Sequence, residues 1–219
     1  IQNEGPPGNN LLPKIPILAD VFTDPVVAGA LVSILGPNYV MHPHRACHYH
    51  PPQSQEQAWH KDYPVGGNLR CHRGRMAMAF YYPQDTDQTM GPPSVVPTSH
   101  YLNENKGNQV EKALTGKAGT VVIVHYDIWH RATEFLAGDR TRFMVKFLFT
   151  RMEDPVSPSW NHQSKIPEWR TKATMSETDF QRSKTIWDYQ WNWHCGTAEN
   201  IAGRGNNHRL EQLTEKLSA

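Results

Sequence analysis

Residues 60–62 read His-Lys-Asp, a single histidine, His130, follows a β-rich stretch, and two arginines, Arg140 and Arg142, come a short loop later. Side chains alternate along an extended segment, so His60 and Asp62 project to one side. A second imidazole from a neighbouring strand then completes one face of an octahedron. Two imidazoles and one carboxylate, with the opposite face open, form the ligand set of non-haem Fe(II) oxygenases. A guanidinium beyond the last ligand supplies a fixed fork for the carboxylate of a co-substrate. Asp62 and His130 lie 68 positions apart, which leaves room for several intervening strands.

Other clusters compete for the same reading. His42-Pro43-His44 and Cys47-His48-Tyr49-His50 offer zinc-type ligands, but their spacing matches no common zinc pattern and alternation sends neighbours to opposite faces. His125-Tyr126-Asp127 repeats the His-x-Asp triplet; its partners would be His162 and His194, and no arginine-bearing strand follows. Strand residue plus turn-stabilising aspartate is the better account of it. Lys61, between two ligands, should point away from the metal. Arg70, His72, Arg73 and Arg75 form a basic run that reads as a solvated loop. Were it to line the mouth of the site, it would favour an anionic substrate.

The elements that position these residues follow from periodicity and punctuation. Residues 1–16 are rich in Gly, Pro and Asn and read as irregular. Asp24-Pro25 opens a helix, with Asp as cap and Pro in the first turn. Val26, Val27, Ala30, Leu31 and Ile34 supply its apolar stripe, and Gly36-Pro37 ends it. Beyond it, 39–41, 76–82, 95–96, 120–125 and 142–149 read as short strands separated by Gly66-Gly67, Gly91-Pro92-Pro93 and Gly138-Asp139. Such spacing predicts a sandwich or barrel rather than βαβ units. His130 falls just past the strongest β run, at a strand end or turn. In 76–82 either Met76, Met78, Phe80 and Tyr82 or the residues between them face the interior.

From about 151 the composition turns to tryptophan, charge and proline. Ser176-Glu177-Thr178-Asp179 resembles a capping box opening a helix through Asp188, and Leu210, Leu213 and Leu217 stripe a last helix. The expectation is one domain over 1–219, with a barrel core at about 37–150 and a helical extension at about 151–219.

With 219 residues the chain can bury a sizeable core, and a net charge of +1 gives no global field toward nucleic acid or membrane. No apolar run approaches the roughly 18 residues of a membrane helix. Cys47, Cys71 and Cys195 form no CxxC and leave one over, which predicts free thiols in a reducing compartment, the cytoplasm. The chain begins with Ile1 rather than Met, as a fragment, a processed product or a trimmed chain would.

Four motifs in order carry a family resemblance. They are Trp59-His60-Lys61-Asp62; Gly91-Pro-Pro-Ser-Val-Val-Pro-Thr-Ser-His100; the strand from Gly119 to Trp129-His130; and Asp139-Arg140-Thr141-Arg142. The segment from about 56 to 149 resembles the phytanoyl-CoA dioxygenase family of Fe(II)- and 2-oxoglutarate-dependent oxygenases. The resemblance implies a mainly β fold, a double-stranded β-helix or cupin-like jelly-roll barrel with flanking helices. It implies His60, Asp62 and His130 as the catalytic iron ligands, and an arginine on the distal carboxylate of 2-oxoglutarate. Strand parity leaves Arg140 and Arg142 level; alignment with the family favours Arg142. The family often carries a small hydroxyl residue two past the distal histidine. That position is Ala132 here, and Thr133 next to it is the stand-in.

The implied reaction hydroxylates a C–H bond of a small organic substrate, with O2 consumed and 2-oxoglutarate decarboxylated to succinate. Related halogenases have a small residue in place of the carboxylate, so Asp62 points to oxygen insertion. The competing reading is a catalytically inactive barrel that binds ligands, which Ala132 and the lengthened loop before Arg142 would suit. Neither reading calls for nucleic acid or membrane as a partner.

Overall fold

A computed structural model of the chain describes residues 10–62, 75–101 and 110–157, together with 177, 181, 184 and 192–195 of the C-terminal part. A 3-10 turn (Pro16–Ala19) leads into a short helix, α1 (Asp20–Thr23), and a longer one, α2 (Pro25–Leu35). Asp24 caps α2 as the sequence predicts. Its Oδ1 accepts from the Val26 N–H at 2.9 Å and the Val27 N–H at 3.4 Å, while Pro25 sits where no N–H partner is needed. Gly36 closes the helix at φ +79°. The buried stripe is narrower than expected. Leu31 and Leu35, one turn apart, face the core, whereas Val26 is 80% exposed and Ile34 lies at the surface.

Among the described residues seven strands form two antiparallel sheets. They are β1 (Tyr39–His50), β2 (Met76–Tyr81), β3 (Pro93–Val95), β4 (Lys112–Ala113), β5 (Val121–His125), β6 (His130–Ala132) and β7 (Arg142–Arg151). One sheet runs β1-β7-β2-β5 and the other β4-β3-β6, so neighbours in space are seldom neighbours in sequence, as in a jelly roll. Among the described residues the two sheets stay open at their edges and do not close into a continuous barrel.

β1 is much longer than expected, and β4 and β6 stand where no strand was expected. β1 runs on through all the histidines of 42–50, and its pairing with β7 shifts register between Met41 and Arg45. Pro43 sits in that irregularity, on an edge strand, where a missing N–H costs no ladder bond. β4 and β6 are too short to show a period of two.

Alternation along β7 and β2 separates two cores. Val145, Phe147 and Phe149, with Ala77 and Ala79, pack against Leu18, Phe22, Leu31 and Leu35 of the helical layer. The Phe22 ring centroid lies 4.3 Å from that of Phe147. On the opposite face Met78, Phe80, Tyr82, Met144 and Leu148 meet Val95, Leu114 and Ile128 between the sheets. Arg142 and Lys146 share the parity of Met144 and Leu148, so two buried cations stand on the inward face of β7.

In the C-terminal part, residues 177, 181 and 184 are helical, and Gln181 donates to Glu177 Oε1 at 2.7 Å, one turn back. Trp193 is buried with the Arg151 guanidinium over its ring at 5.2 Å. The expected last helix at Leu210, Leu213 and Leu217 lies outside the described residues, as does most of the expected extension. Among the described residues no single helix is long and apolar enough to cross a membrane.

Candidate metal centre

His60 and His130 are joined backbone to backbone. Each N–H donates to the other's carbonyl at 3.0 Å, a bridge that ties the segment before Asp62 to the start of β6. Their rings lie 4.3 Å apart, centroid to centroid. Each ring is also aimed. His60 Nδ1 donates to the Ala58 carbonyl at 2.9 Å and His130 Nδ1 to the Ile128 carbonyl at 3.0 Å. A carbonyl can only accept, so the proton resides on Nδ1 and both Nε2 lone pairs are left for a metal. The potential ligand atoms of His60, Asp62 and His130 all lie within 4.8 Å of one another. Among the described residues no other group of three gathers in this way. The histidines of 42–50 are instead spread along β1, so the zinc reading has no cluster to stand on.

The electrostatics leave His130 neutral and Asp62 charged. Burial first of all holds His130 down at about 4, so the imidazole is neutral and able to ligate. Burial alone would raise the Asp62 carboxyl. The charge and hydrogen bond of Lys146, then His130 and His60, outweigh it and hold Asp62 below the ordinary value. Asp62 Oδ2 faces His130 Nε2 at 3.6 Å and is contacted by the Lys146 ammonium.

Arg142 opens β7 and is 2% exposed, yet its Nε and Nη1 meet no hydrogen-bond partner among the described residues. Burial pushes it down to about 10, so it remains charged at neutral pH. A buried guanidinium with idle donors is costly unless an anion meets it. The distal carboxylate of 2-oxoglutarate has the charge and the two-oxygen geometry to do so. Arg140 lies in a bend before the strand, exposed, with its charge toward Asp85 and Asp87. Strand parity therefore never applied to it, and only Arg142 enters the interior.

Thr133 sits beside this pocket. Its hydroxyl donates to the Pro92 carbonyl at 2.9 Å and keeps its lone pairs, and its own carbonyl accepts from His50 Nε2 at 3.0 Å. His50 lies directly opposite Arg142 in the β1–β7 ladder. Gly91, at φ +63°, passes so close that a Cβ would lie 2.6 Å from the His50 ring.

Other residues singled out in the sequence serve packing. Lys61 does point away from the metal cluster: it is buried in an ion pair with Asp127 at 3.2 Å and lies 5.6 Å from the Trp129 ring. His125 Nδ1 accepts from the Asp127 N–H, as a strand-and-turn role requires, and the His125 ring stacks on His100. Trp59 lies under the Arg131 guanidinium, 4.7 Å from its ring. Arg75 pairs with Asp154 at 2.6 Å, while Arg70, His72 and Arg73 lie outside the described residues. Cys47 is a free thiol; Cys71 is outside the described residues. Lys146 and His50 were missed as site residues. The signal for Lys146 was a lone charge inside an apolar strand run, at the parity of Arg142.

An open jelly roll with two aimed imidazoles and a carboxylate between its sheets is the framework of the non-haem iron, 2-oxoglutarate-dependent oxygenases. The chain matches the sequence model of the phytanoyl-CoA dioxygenase (PhyH) family over residues 5–143, well over half its length, and belongs to that family. Solved structures share the fold. The HygX structure from Streptomyces hygroscopicus with nickel and 2-oxoglutarate bound matches at TM-score 0.51 and 13% identity, over 70% of this chain and 73% of that one. EctD from S. alaskensis with bound Fe matches at TM-score 0.51 and 19% identity, over 64% and 54%. SnoN, a non-haem alpha ketoglutarate dependent epimerase from nogalamycin biosynthesis, matches at 0.51 and 17%, over 64% and 58%. The chain thus spans little more than half the length of EctD and of SnoN. A comparison with curated protein sequences finds no match.

Proposed function

We propose that the chain is an Fe(II)- and 2-oxoglutarate-dependent dioxygenase that hydroxylates a C–H bond of a small organic substrate. The observation that carries this reading is Arg142, a buried guanidinium with unused donors on the strand whose Lys146 reaches Asp62. His60 and His130 would ligate iron through Nε2 and Asp62 through its carboxylate. Arg142 would hold the distal carboxylate of 2-oxoglutarate, with the His50–Thr133 contact bracing the wall beside it. Met78, Phe80 and Tyr82 line the inner face with apolar surface that excludes water. When bound, iron and 2-oxoglutarate supply oxidative decarboxylation by O2 coupled to oxidation of the substrate.

The test is spectroscopic and then chemical. Protein mixed anaerobically with Fe(II) and 2-oxoglutarate should show a weak visible charge-transfer band, and O2 should then yield succinate slowly. Asp62→Ala should abolish both. Tight 2-oxoglutarate binding with no succinate from the folded wild type would replace this reading with that of a binding module.

A further inference from the structure

Lys146 stands in the middle of β7, opposite Ala46 of β1 and Phe80 of β2, and is 6% exposed. Lysine is seldom buried so fully without a partner. Its partner is the Asp62 carboxylate, contacted by the ammonium at Oδ2. The same oxygen faces His130 Nε2 at 3.6 Å, within the group of atoms that converge as metal ligands. The oxygen on offer to a divalent cation is therefore already held by a monovalent one.

This arrangement has opposite consequences for the two states of the site. Without a metal, the ammonium balances a carboxylate drawn partly out of water and keeps the three ligands gathered. With a metal, two cations compete for one oxygen in a site where water screens them weakly. We infer that Lys146 is a resident competitor of the metal: it occupies Asp62 Oδ2 in the metal-free protein and is displaced when the metal binds. Two imidazoles of β1 lie within electrostatic reach of the ammonium. His48 shares the inward parity two residues from Ala46, and His44 lies close enough to feel both Lys146 and Asp62. The inference rests on the proposed function only in taking His60, Asp62 and His130 as the metal ligands; it does not require turnover.

The experiment compares metal affinity in full-length wild type, Lys146→Met, Lys146→Gln and Lys146→Arg, titrating Co(II) into protein stripped by a chelator. Both neutral variants should bind on the order of tenfold more tightly than wild type, the direction expected when a like charge is removed. They should also show a larger metal-induced rise in Tm, since their metal-free forms lose the counter-charge of Asp62. Lys146→Arg keeps the charge and should bind no more tightly than wild type. A neutral variant that unfolds when stripped is refolded with excess Co(II) and its affinity read by chelator competition. Equal or weaker binding by the neutral variants overturns the inference, because Lys146 would then be assisting the metal. Succinate formation by wild type is scored separately: its absence removes the oxygenase reading and leaves the order of metal affinities to decide this one.

Discussion

His50 stands directly across the β1–β7 ladder from Arg142, and its Nε2 donates to the carbonyl of Thr133 at 3.0 Å. One imidazole thus joins an edge strand, the strand that carries the candidate co-substrate anchor, and the loop after the distal ligand. Burial first, then the Arg142 charge, hold His50 below its ordinary value, against the opposing pull of the Thr133 hydrogen bond.

Gly91 tests how tightly this junction is fitted. A Cβ there would lie 2.6 Å from His50 and 2.7 Å from the Thr133 carbonyl oxygen, on a backbone at φ +63°. Gly91→Ala should lower the unfolding free energy by about 2 kcal/mol or more. It should also weaken 2-oxoglutarate binding, because the strained atoms border Arg142. Denaturant melts and a binding titration check both effects. An unchanged midpoint would mean that the contact can be relieved without cost.

The metal-free protein should be acid-sensitive well above the range of carboxylate titration. His130 is held at about 4, mainly by burial, and His50 is lowered as well, against an ordinary 6.5. Above 6.5 neither state binds the proton and the histidines contribute nothing. Below it the unfolded chain takes up a proton that the folded chain refuses. Stability then falls as pH drops from 6.5 to about 4, by on the order of 3 kcal/mol from His130 alone. Asp62 is lowered in the fold, so its contribution is present above its ordinary 3.8 and is lost as pH falls through its folded value. Denaturation midpoints of chelated protein between about pH 7.5 and pH 4.5 measure this. A flat profile would contradict the burial of His130.

Much of the site was legible because its chemistry is local. His60-x-Asp62 declares two ligands by parity, and Asp24-Pro25 declares a helix start by capping. Other features depend on tertiary pairing. Arg140 and Arg142 look equivalent in sequence, and only the point at which β7 begins pairing with His50 separates them. The strand through 42–50 was hidden by Pro43 and by five histidine and cysteine residues that lack the usual strand composition. β4 and β6, at two and three residues, hold no period to detect. Lys146 was missed because a lysine in a strand reads as surface until its neighbours bury it.

Lys61 offers a check on the difference between site and scaffold. Its side chain is 1% exposed and pairs with Asp127, itself 6% exposed, at 3.2 Å. Lys61→Met should destabilise the fold by about 3 kcal/mol, as removing one partner of a buried pair does. Metal affinity of the folded fraction should stay near that of wild type, because the side chain points away from the ligands. Loss of metal binding without loss of stability would place Lys61 in the site instead.

Arg142 should separate in the opposite sense. Replacing it by Met removes a buried guanidinium with two unused donors, so the protein free of 2-oxoglutarate should gain about 1 kcal/mol or more in stability. The same change should weaken 2-oxoglutarate binding on the order of a hundredfold, about 3 kcal/mol, while metal affinity holds. Exposed Arg140→Ala should alter neither quantity. Thermal melts and anaerobic titration of the metal-loaded protein read the two effects independently. A residue that served only the fold would lose stability when replaced. Stability gained as co-substrate binding is lost marks a group placed for its ligand, at the fold's expense.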